Sequence, residues 1–306
     1  MTAQTLPVTV IGGYLGAGKT TLINHLLRHA DGLRLAVLVN DFGELPIDAD
    51  LIESRNDNVI SITGGCMCCA YGSDLMAALA DLDRLEMPPD HLLIEASGVG
   101  LPDAIAQSVR LIPRYAIDGI AVLADAETVH KLGKDQYLQD TIERQLDAAD
   151  VIILNKVDLA SDEGLEKTRR WLSGRAPDSR IIEAVSANIP LSVLLGSGME
   201  HVFDEGQGEG HNHDHATHEA AVFTLDRPVE PEMLAKRLAA REVGLVRTKG
   251  FVQAPDGGFY TLQTVGRRWS VSEAPSSSAL QGRIVCITHR PPIDAEKITL
   301  IINSEC

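Results

Sequence analysis

The sequence predicts an α/β fold: a doubly wound, mostly parallel sheet over the first two-thirds of the chain, followed by a smaller C-terminal α+β unit. Three observations predict it. Short runs rich in Val and Ile recur through residues 8–186, with helix-patterned segments between them. A glycine-rich loop stands directly between the first run and the first helical segment. A polar, histidine-rich stretch without periodicity then separates this region from one whose apolar runs are joined by short turns.

The runs are VTVIG (from Val8), LAVLVN (from Leu35), VISIT (from Val59), HLLIE (from His91), GIAVLAD (from Gly119), VIILN (from Val151) and RIIEAVS (from Arg180). They are continuously apolar rather than alternating, as strands covered on both faces must be. TTLINHLLRHA and SDLMAALADLDRL place Leu and Ile at helical spacing. Around residues 200–219 the stretch DEGQGEGHNHDHATHEA reads as a linker. Beyond it, AVFTL, VRTKGFVQA, GFYTLQTVG, RRWSVSEA and RIVCITH read as strands, and Pro-Asp-Gly-Gly as a turn. PEMLAKRLAAREV and DAEKITLIIN read as helices. The expected division is 1–200, a linker at 201–219, and 220–306, with no internal repeat.

A chain of 306 residues accommodates two domains, and a 44% hydrophobic content supplies their cores. The net charge of −16 argues against nucleic acid as a partner, because phosphate binding needs clustered Lys and Arg. No apolar run is long enough to span a bilayer, so no membrane partner is expected. The N-terminal MTAQTLPVTVIGG lacks the basic start and cleavage site of a signal peptide, which points to the cytoplasm. Five cysteines, an odd number, argue against a disulfide framework, and three of them fall within four residues.

Gly13-Tyr14-Leu15-Gly16-Ala17-Gly18-Lys19-Thr20-Thr21 follows the first strand and opens the first helix. This is the phosphate-loop pattern G-x-x-x-x-G-K-[ST] in its structural context, and it makes the first domain a P-loop NTPase-type sheet. Glycines let backbone N–H groups curl around phosphate oxygens, and the helix N-terminus adds partial positive charge. Lys19 is expected to reach the β- and γ-phosphates, and the Thr20 hydroxyl to ligate magnesium. The bland alternative is a glycine turn between strand and helix.

Asn155-Lys156-Val157-Asp158 closes the run VIILN and matches the N-K-x-D element that reads guanine. The Asp158 carboxylate can accept hydrogen bonds from guanine N1–H and the 2-amino group. Adenine lacks both donors, so the expected nucleotide is GTP. Asn155 is expected to stabilise the loop and the Lys156 stem to lie along the base. Ser186-Ala187-Asn188 stands where a backbone N–H can meet guanine O6. Leu92-Leu93-Ile94-Glu95-Ala96-Ser97-Gly98 is a strand ending in an acid and a glycine. Glu95 can hold the magnesium shell or orient the attacking water, or it is simply a solvated strand-end acid. Gly98 can offer its N–H to the γ-phosphate. Asn40-Asp41-Phe42-Gly43-Glu44 suits a switch segment, with Asp41 and Glu44 available to magnesium, water or a second metal. The catalytic set is thus Lys19, Thr20, Glu95 and Glu44.

Gly64-Gly65-Cys66-Met67-Cys68-Cys69 follows the third run. Three thiols this close can converge on one soft cation, and thiolates select zinc, copper(I) or iron–sulfur over magnesium. Zinc wants four ligands, so Cys66, Cys68 and Cys69 leave one position for water, a carboxylate or a client's ligand. The alternatives are cysteines packed as small hydrophobes, or a dithiol redox site.

With GYLGAGKTT, NDFGE, GGCMCC, LLIEASG and NKVD in that order, the chain resembles the CobW-type GTPases of the CobW/HypB/UreG metallochaperone group. The resemblance covers the first two-thirds and extends to the last third through RTKGF. It implies GTP hydrolysis coupled to insertion of zinc, or cobalt, into a client metalloprotein, with a homodimer left open. It also implies metal binding by Cys66, Cys68 and Cys69, phosphate and magnesium binding by Lys19 and Thr20, and guanine reading by Asn155, Lys156 and Asp158. The family pattern Asn-Glu-Phe-Gly-Glu has Asp41 in its second place here, a shorter side chain. A regulatory GTPase with structural zinc and a passive zinc buffer are the alternatives. His211, His213, His215 and His218 form a further candidate zinc-collecting segment, against the alternative of a polar linker. The other histidines, His289 among them, read as ordinary surface or core residues.

Overall fold

The computed structural model describes residues 5–30, 32–40, 59–64, 73–199, 218–274, 282–290 and 292–304. The readings at Asp41–Glu44, at Cys66, Cys68 and Cys69, and at His211, His213 and His215 lie outside the described residues. The chain divides into two units, Met1–Ser197 and Gly198–Cys306. No described helix is long and apolar enough to cross a membrane.

The first unit holds β1 (Leu6–Gly13), α1 (Lys19–Arg28), β2 (Leu35–Asn40), β3 (Val59–Gly64), α2 (Ser73–Leu82), β4 (His91–Glu95), α3 (Pro102–Arg110) and β5 (Tyr115–Asp125). It continues with α4 (Val129–Leu132), α5 (Gln139–Ala148), β6 (Val151–Asn155), α6 (Asp162–Arg175), β7 (Arg180–Ala184) and α7 (Leu191–Leu194). The seven strands form one sheet in the order β3-β2-β4-β1-β5-β6-β7. Every pairing in it is parallel.

The apolar runs form strands because they are covered on both sides: every residue of β4 and β6 is buried. On one face Val8, Val10, Leu92, Ile94, Ile120, Val122, Ile152 and Leu154 pack with Leu79 of α2, Ile105 of α3, Ile142 of α5 and Leu172 of α6. On α1, Leu22, Ile23 and Leu26 are at most 1% exposed. Each such burial contributes roughly 1.5–3 kcal/mol. The order reverses at β1, because β2 to β4 lie to one side of it and β5 to β7 to the other. A parallel sheet opens a crevice at the carboxyl ends of its strands at such a point.

Strand β5 starts four residues before the apolar run suggests. Asp118 interrupts the run because the β1–β5 register shifts there, with Val8 opposite Ile117 and Thr9 opposite Gly119. The extra residue has a task. The Asp118 carboxylate accepts the Gly196 N–H at 2.9 Å and lies 3.9 Å from Nε2 of His91. His91 is fully buried, and its ring meets the Thr9 hydroxyl at 2.9 Å and the Ser197 hydroxyl at 3.0 Å. Both ring nitrogens are thereby used, which is the condition for burying an imidazole.

The second unit holds β8 (His218–Thr224), α8 (Pro231–Leu238), β9 (Leu245–Gln253), β10 (Phe259–Val265), β11 (Arg268–Glu273), β12 (Arg283–His289) and α9 (Ala295–Asn303). Its antiparallel sheet runs β11-β10-β9-β12-β8. Leu234 and Leu238 of α8 and Ile298 and Ile302 of α9 pack on Val252, Leu262, Ile284 and Cys286. Two boundaries differ from the sequence reading. Helix α8 ends at Leu238, and residues Arg241–Val243 form a 3-10 turn that Gly244 closes at φ 79°. Strand β8 begins at His218, inside the stretch expected to be linker, because His218 and Glu219 pair with His289 and Thr288 of β12.

Cys286 is completely buried, and its neighbour Thr248 donates to Sγ at 4.0 Å. Burial pushes the thiol from 9.0 up to about 12, and the Thr248 hydroxyl offsets part of this. The folded-state value lies above the unfolded one, so the neutral thiol's contribution to stability is complete below about pH 9 and fades toward about 12. Replacing Cys286 by Ala is expected to flatten the fall in Tm over that alkaline window, read by circular dichroism. Iodoacetamide at pH 8 is expected to label Cys286 only after denaturation, read by peptide mass spectrometry.

Candidate functional site

The carboxyl ends of β1, β4, β5, β6 and β7 lead into the glycine loop, Glu95, Asp125, Asn155 and the Ser186–Ala187 loop. Strand β1 ends at Gly13, whose φ of 133° belongs to glycine, and a Cβ there would stand 2.4 Å from the Leu123 carbonyl oxygen. The loop turns through Gly16 and reaches Gly18, which precedes α1 at φ 105°. No side chain caps α1, and its first turn contains no acid. The first-turn N–H groups of a helix have no intrahelical acceptors, so this end presents donors and a positive dipole to an anion. Ala17 and Thr21 belong to the same loop and first turn, and Lys19 is 8% exposed.

The Thr20 hydroxyl donates to Oε1 of Glu95 at 3.4 Å, and Glu95 is 2% exposed at the end of β4. A hydroxyl and a carboxylate brought together beside a phosphate loop are hard oxygen donors of the kind magnesium takes. The adjoining Ser97 hydroxyl is buried with no hydrogen-bond partner among the described residues. The donor set fits a hydrated hard cation. Gly98 presses against Leu15, since a Cβ at Gly98 would fall 3.0 Å from the Leu15 nitrogen. Nε2 of Gln145 donates to the carbonyls of Gly98 at 3.2 Å and Gly100 at 2.8 Å, fixing this loop to α5.

Asn155 is 2% exposed, and both ends of its amide are used across long sequence separations. Nδ2 donates to the Ala17 carbonyl at 3.0 Å, and Oδ1 accepts the Ala187 N–H at 2.8 Å. One side chain thus joins the phosphate loop to the loop after β7. Lys156 turns left-handed at φ 61°, and its ammonium meets Asp125 at 2.7 Å. Ser186 and Ala187 also adopt left-handed φ values, 50° and 55°. Three of the four non-glycine residues with positive φ among the described ones therefore lie in the loops after β6 and β7. Such strain persists where surrounding structure enforces it, and it gathers at ligand clamps. Asp158 stands exposed beyond Lys156, free of the sheet and turned to the solvent edge of this loop.

The structure thus brings together Gly13, Gly16, Ala17, Gly18, Lys19, Thr20, Thr21, Glu95, Gly98, Asn155, Lys156, Asp158, Ser186 and Ala187 along one end of the sheet. Glu44 and the three clustered cysteines fall outside the described residues. Among the described residues no group of three or more His, Cys, Asp and Glu could hold a metal ion. Sequence reasoning missed Asp125 and Gln145. Asp125 had a signal, an acid closing an apolar run. Gln145 had none, because its partners lie 45 and 47 residues away on another loop.

Asn155→Ala leaves the Ala17 carbonyl and the Ala187 N–H without their partner, which costs roughly 1–3 kcal/mol for each buried group. Binding of a fluorescent GDP analogue is expected to weaken at least tenfold, and Tm to fall. Gln145→Ala is expected to leave GDP affinity within about threefold while lowering kcat, read by phosphate release, because it loosens only the loop holding Gly98.

Residues 7–183 match the family model for the CobW/HypB/UreG nucleotide-binding domain, and residues 218–303 that of the cobalamin synthesis protein CobW C-terminal domain. A protein named zinc chaperone CobW from a Sinorhizobium species is 31% identical, with 86% of each chain covered. Another of that name from Pseudomonas aeruginosa is 32% identical, over 90% of this chain and 87% of its own. Zinc chaperone YjiA from Escherichia coli is 38% identical over 63% of this chain and 61% of its own. The order of loops around the central strand, the two matched models and these relatives agree: the chain belongs to the CobW/HypB/UreG family.

Proposed function

We propose that this protein hydrolyses GTP to GDP and phosphate and uses that cycle to deliver zinc to a client metalloprotein in the cytoplasm. The observation that carries the nucleotide half is the Asn155 amide, bonded at once to the phosphate loop and to Ala187. That link sets a base-reading loop and a phosphate cradle at a fixed separation. The relatives named zinc chaperones support the metal half.

In this reading the backbone from Gly13 to Gly18 and the N–H groups of Lys19, Thr20 and Thr21 cradle the phosphates, and the Lys19 ammonium meets the β- and γ-oxygens. Asp158 accepts from the guanine edge, the Lys156 stem covers the base, and the Ser186–Ala187 loop offers an N–H to O6. Thr20 and Glu95 are the residues that would hold magnesium, whose chemistry is to neutralise charge on the phosphate oxygens. Glu44, with Glu95, belongs to the set that orients the attacking water. The water oxygen bonds to the γ-phosphorus, and the bridging oxygen leaves with GDP. Gly98, held by Gln145, offers its N–H to the γ-phosphate.

Cys66, Cys68 and Cys69 hold zinc as cargo, with cobalt the second candidate ion. Three thiolates leave a coordination position for a ligand from the client, which suits transfer better than a closed site does. Strand β3, which precedes the cysteines, lies three places from β1, roughly 14 Å at ordinary strand spacing. GTP at one place and zinc at the other are coupled through the segments that follow β2 and β3.

Two measurements test this. Asp158→Asn is expected to weaken GTP at least 100-fold and to favour xanthosine triphosphate, whose 2-oxo group accepts from the new amide. Zinc affinity, measured by competition with a chelating dye, is expected to differ at least fivefold between the GTP and GDP states. Equal affinities would leave a passive buffer, and unfolding on chelation would mark a structural zinc.

A further inference from the structure

Strand pairing takes His218 out of the histidine-rich segment and sets it against His289, a residue with no role above. The two residues are direct partners in the antiparallel ladder of β8 and β12. Nδ1 of His289 and Nε2 of His218 are 3.2 Å apart, with ring centroids at 4.6 Å and planes tilted by 43°. His289 is 7% exposed and His218 is half-buried. We propose that His218 and His289 form a second metal site, on the C-terminal sheet, where two imidazole nitrogens and water bind a divalent transition ion such as zinc.

The geometry requires little movement. Tetrahedral zinc with bonds of about 2.0–2.1 Å holds two nitrogens about 3.3–3.4 Å apart. The present separation is 3.2 Å. The β8–β12 ladder sets His218 directly opposite His289, so the two ligands face each other before an ion arrives. Imidazole is a preferred ligand of zinc, nickel and copper, and it binds only when neutral. Burial, then His289, then the Arg290 cation push the His218 imidazole below its ordinary value, to about 4. In the neutral pair one of the facing nitrogens carries the shared proton. Binding moves that proton to the far nitrogen of the same ring, so no proton is released. Arg290 beside the pair opposes a cation, which makes this site weaker than one built from three thiolates.

The inference is independent of the thiolate reading, and the test keeps it so. The full chain carrying Cys66→Ser, Cys68→Ser, Cys69→Ser and His211→Ala, His213→Ala, His215→Ala is titrated with zinc chloride by calorimetry. One zinc equivalent is expected to remain. Adding His218→Ala or His289→Ala is expected to weaken it at least tenfold. Where His289→Ala disturbs folding, His218→Gln at the more exposed position serves, with circular dichroism as the check. Zinc is also expected to shift the imidazole 15N resonances of both residues. No zinc equivalent in the background chain, or unchanged affinity in a folded His218 variant, overturns the proposal and leaves a hydrogen-bonded pair.

Discussion

The amide of Asn155 is the contact on which the candidate site depends. Its NH2 group donates to a backbone carbonyl on one loop and its carbonyl oxygen accepts a backbone N–H from another. Asp in its place would keep the acceptor for Ala187 but turn a carboxylate oxygen toward the Ala17 carbonyl, a repulsive pairing in a buried setting. The choice extends to its neighbour across the gap. A Cβ on Gly18 would stand 2.5 Å from Asn155 Nδ2, so glycine at 18 and asparagine at 155 require each other. Each is short for its own reason, one to turn at φ 105° and the other to bridge, and together they close the distance between β1 and β6.

Charge follows the same geometry. Glu95 and Asp125 end β4 and β5, the two strands flanking β1, so two acids border the place where phosphate oxygens would lie. In a chain with a net charge of −16, anion binding there cannot come from the overall field. In the proposed reading it comes from the uncapped N-terminus of α1 and from Lys19, while the Lys156 ammonium is held by Asp125. Under the proposed function, Thr20 beside Glu95 would supply oxygens for a divalent cation, which would reconcile the acid with a neighbouring phosphate.

Much of the fold was legible because burial and chain order coincide. HLLIE, VIILN and RIVCITH become β4, β6 and β12 with the limits read from their apolar runs. The phosphate loop and the N-K-x-D element were legible for a different reason: each packs its chemistry into a few consecutive residues. What escaped is what depends on pairing across the chain. Asp118 stands just before the apolar run that starts at Gly119, yet it is the extra residue of a register shift that reaches His91. Gln145 carried no signal in the sequence, yet it is buried and donates to the Gly98 carbonyl 47 residues away. His289 looked incidental because its partner is 71 residues away. Composition marked His218 as linker, whereas the β8–β12 ladder makes it a strand residue.

The proposed zinc chemistry places different ligands in the two units, thiolates in the first and neutral imidazoles in the second. This difference orders filling without any appeal to distance. Thiolate is the softer and more strongly donating ligand, so at limiting zinc three cysteines fill before two histidines with a cation beside them. The histidine pair then responds only when zinc exceeds what the thiolates take. A protein so equipped would hold its cargo at one affinity and sense surplus at another, with the nucleotide acting on the cargo through the sheet that carries the phosphate loop.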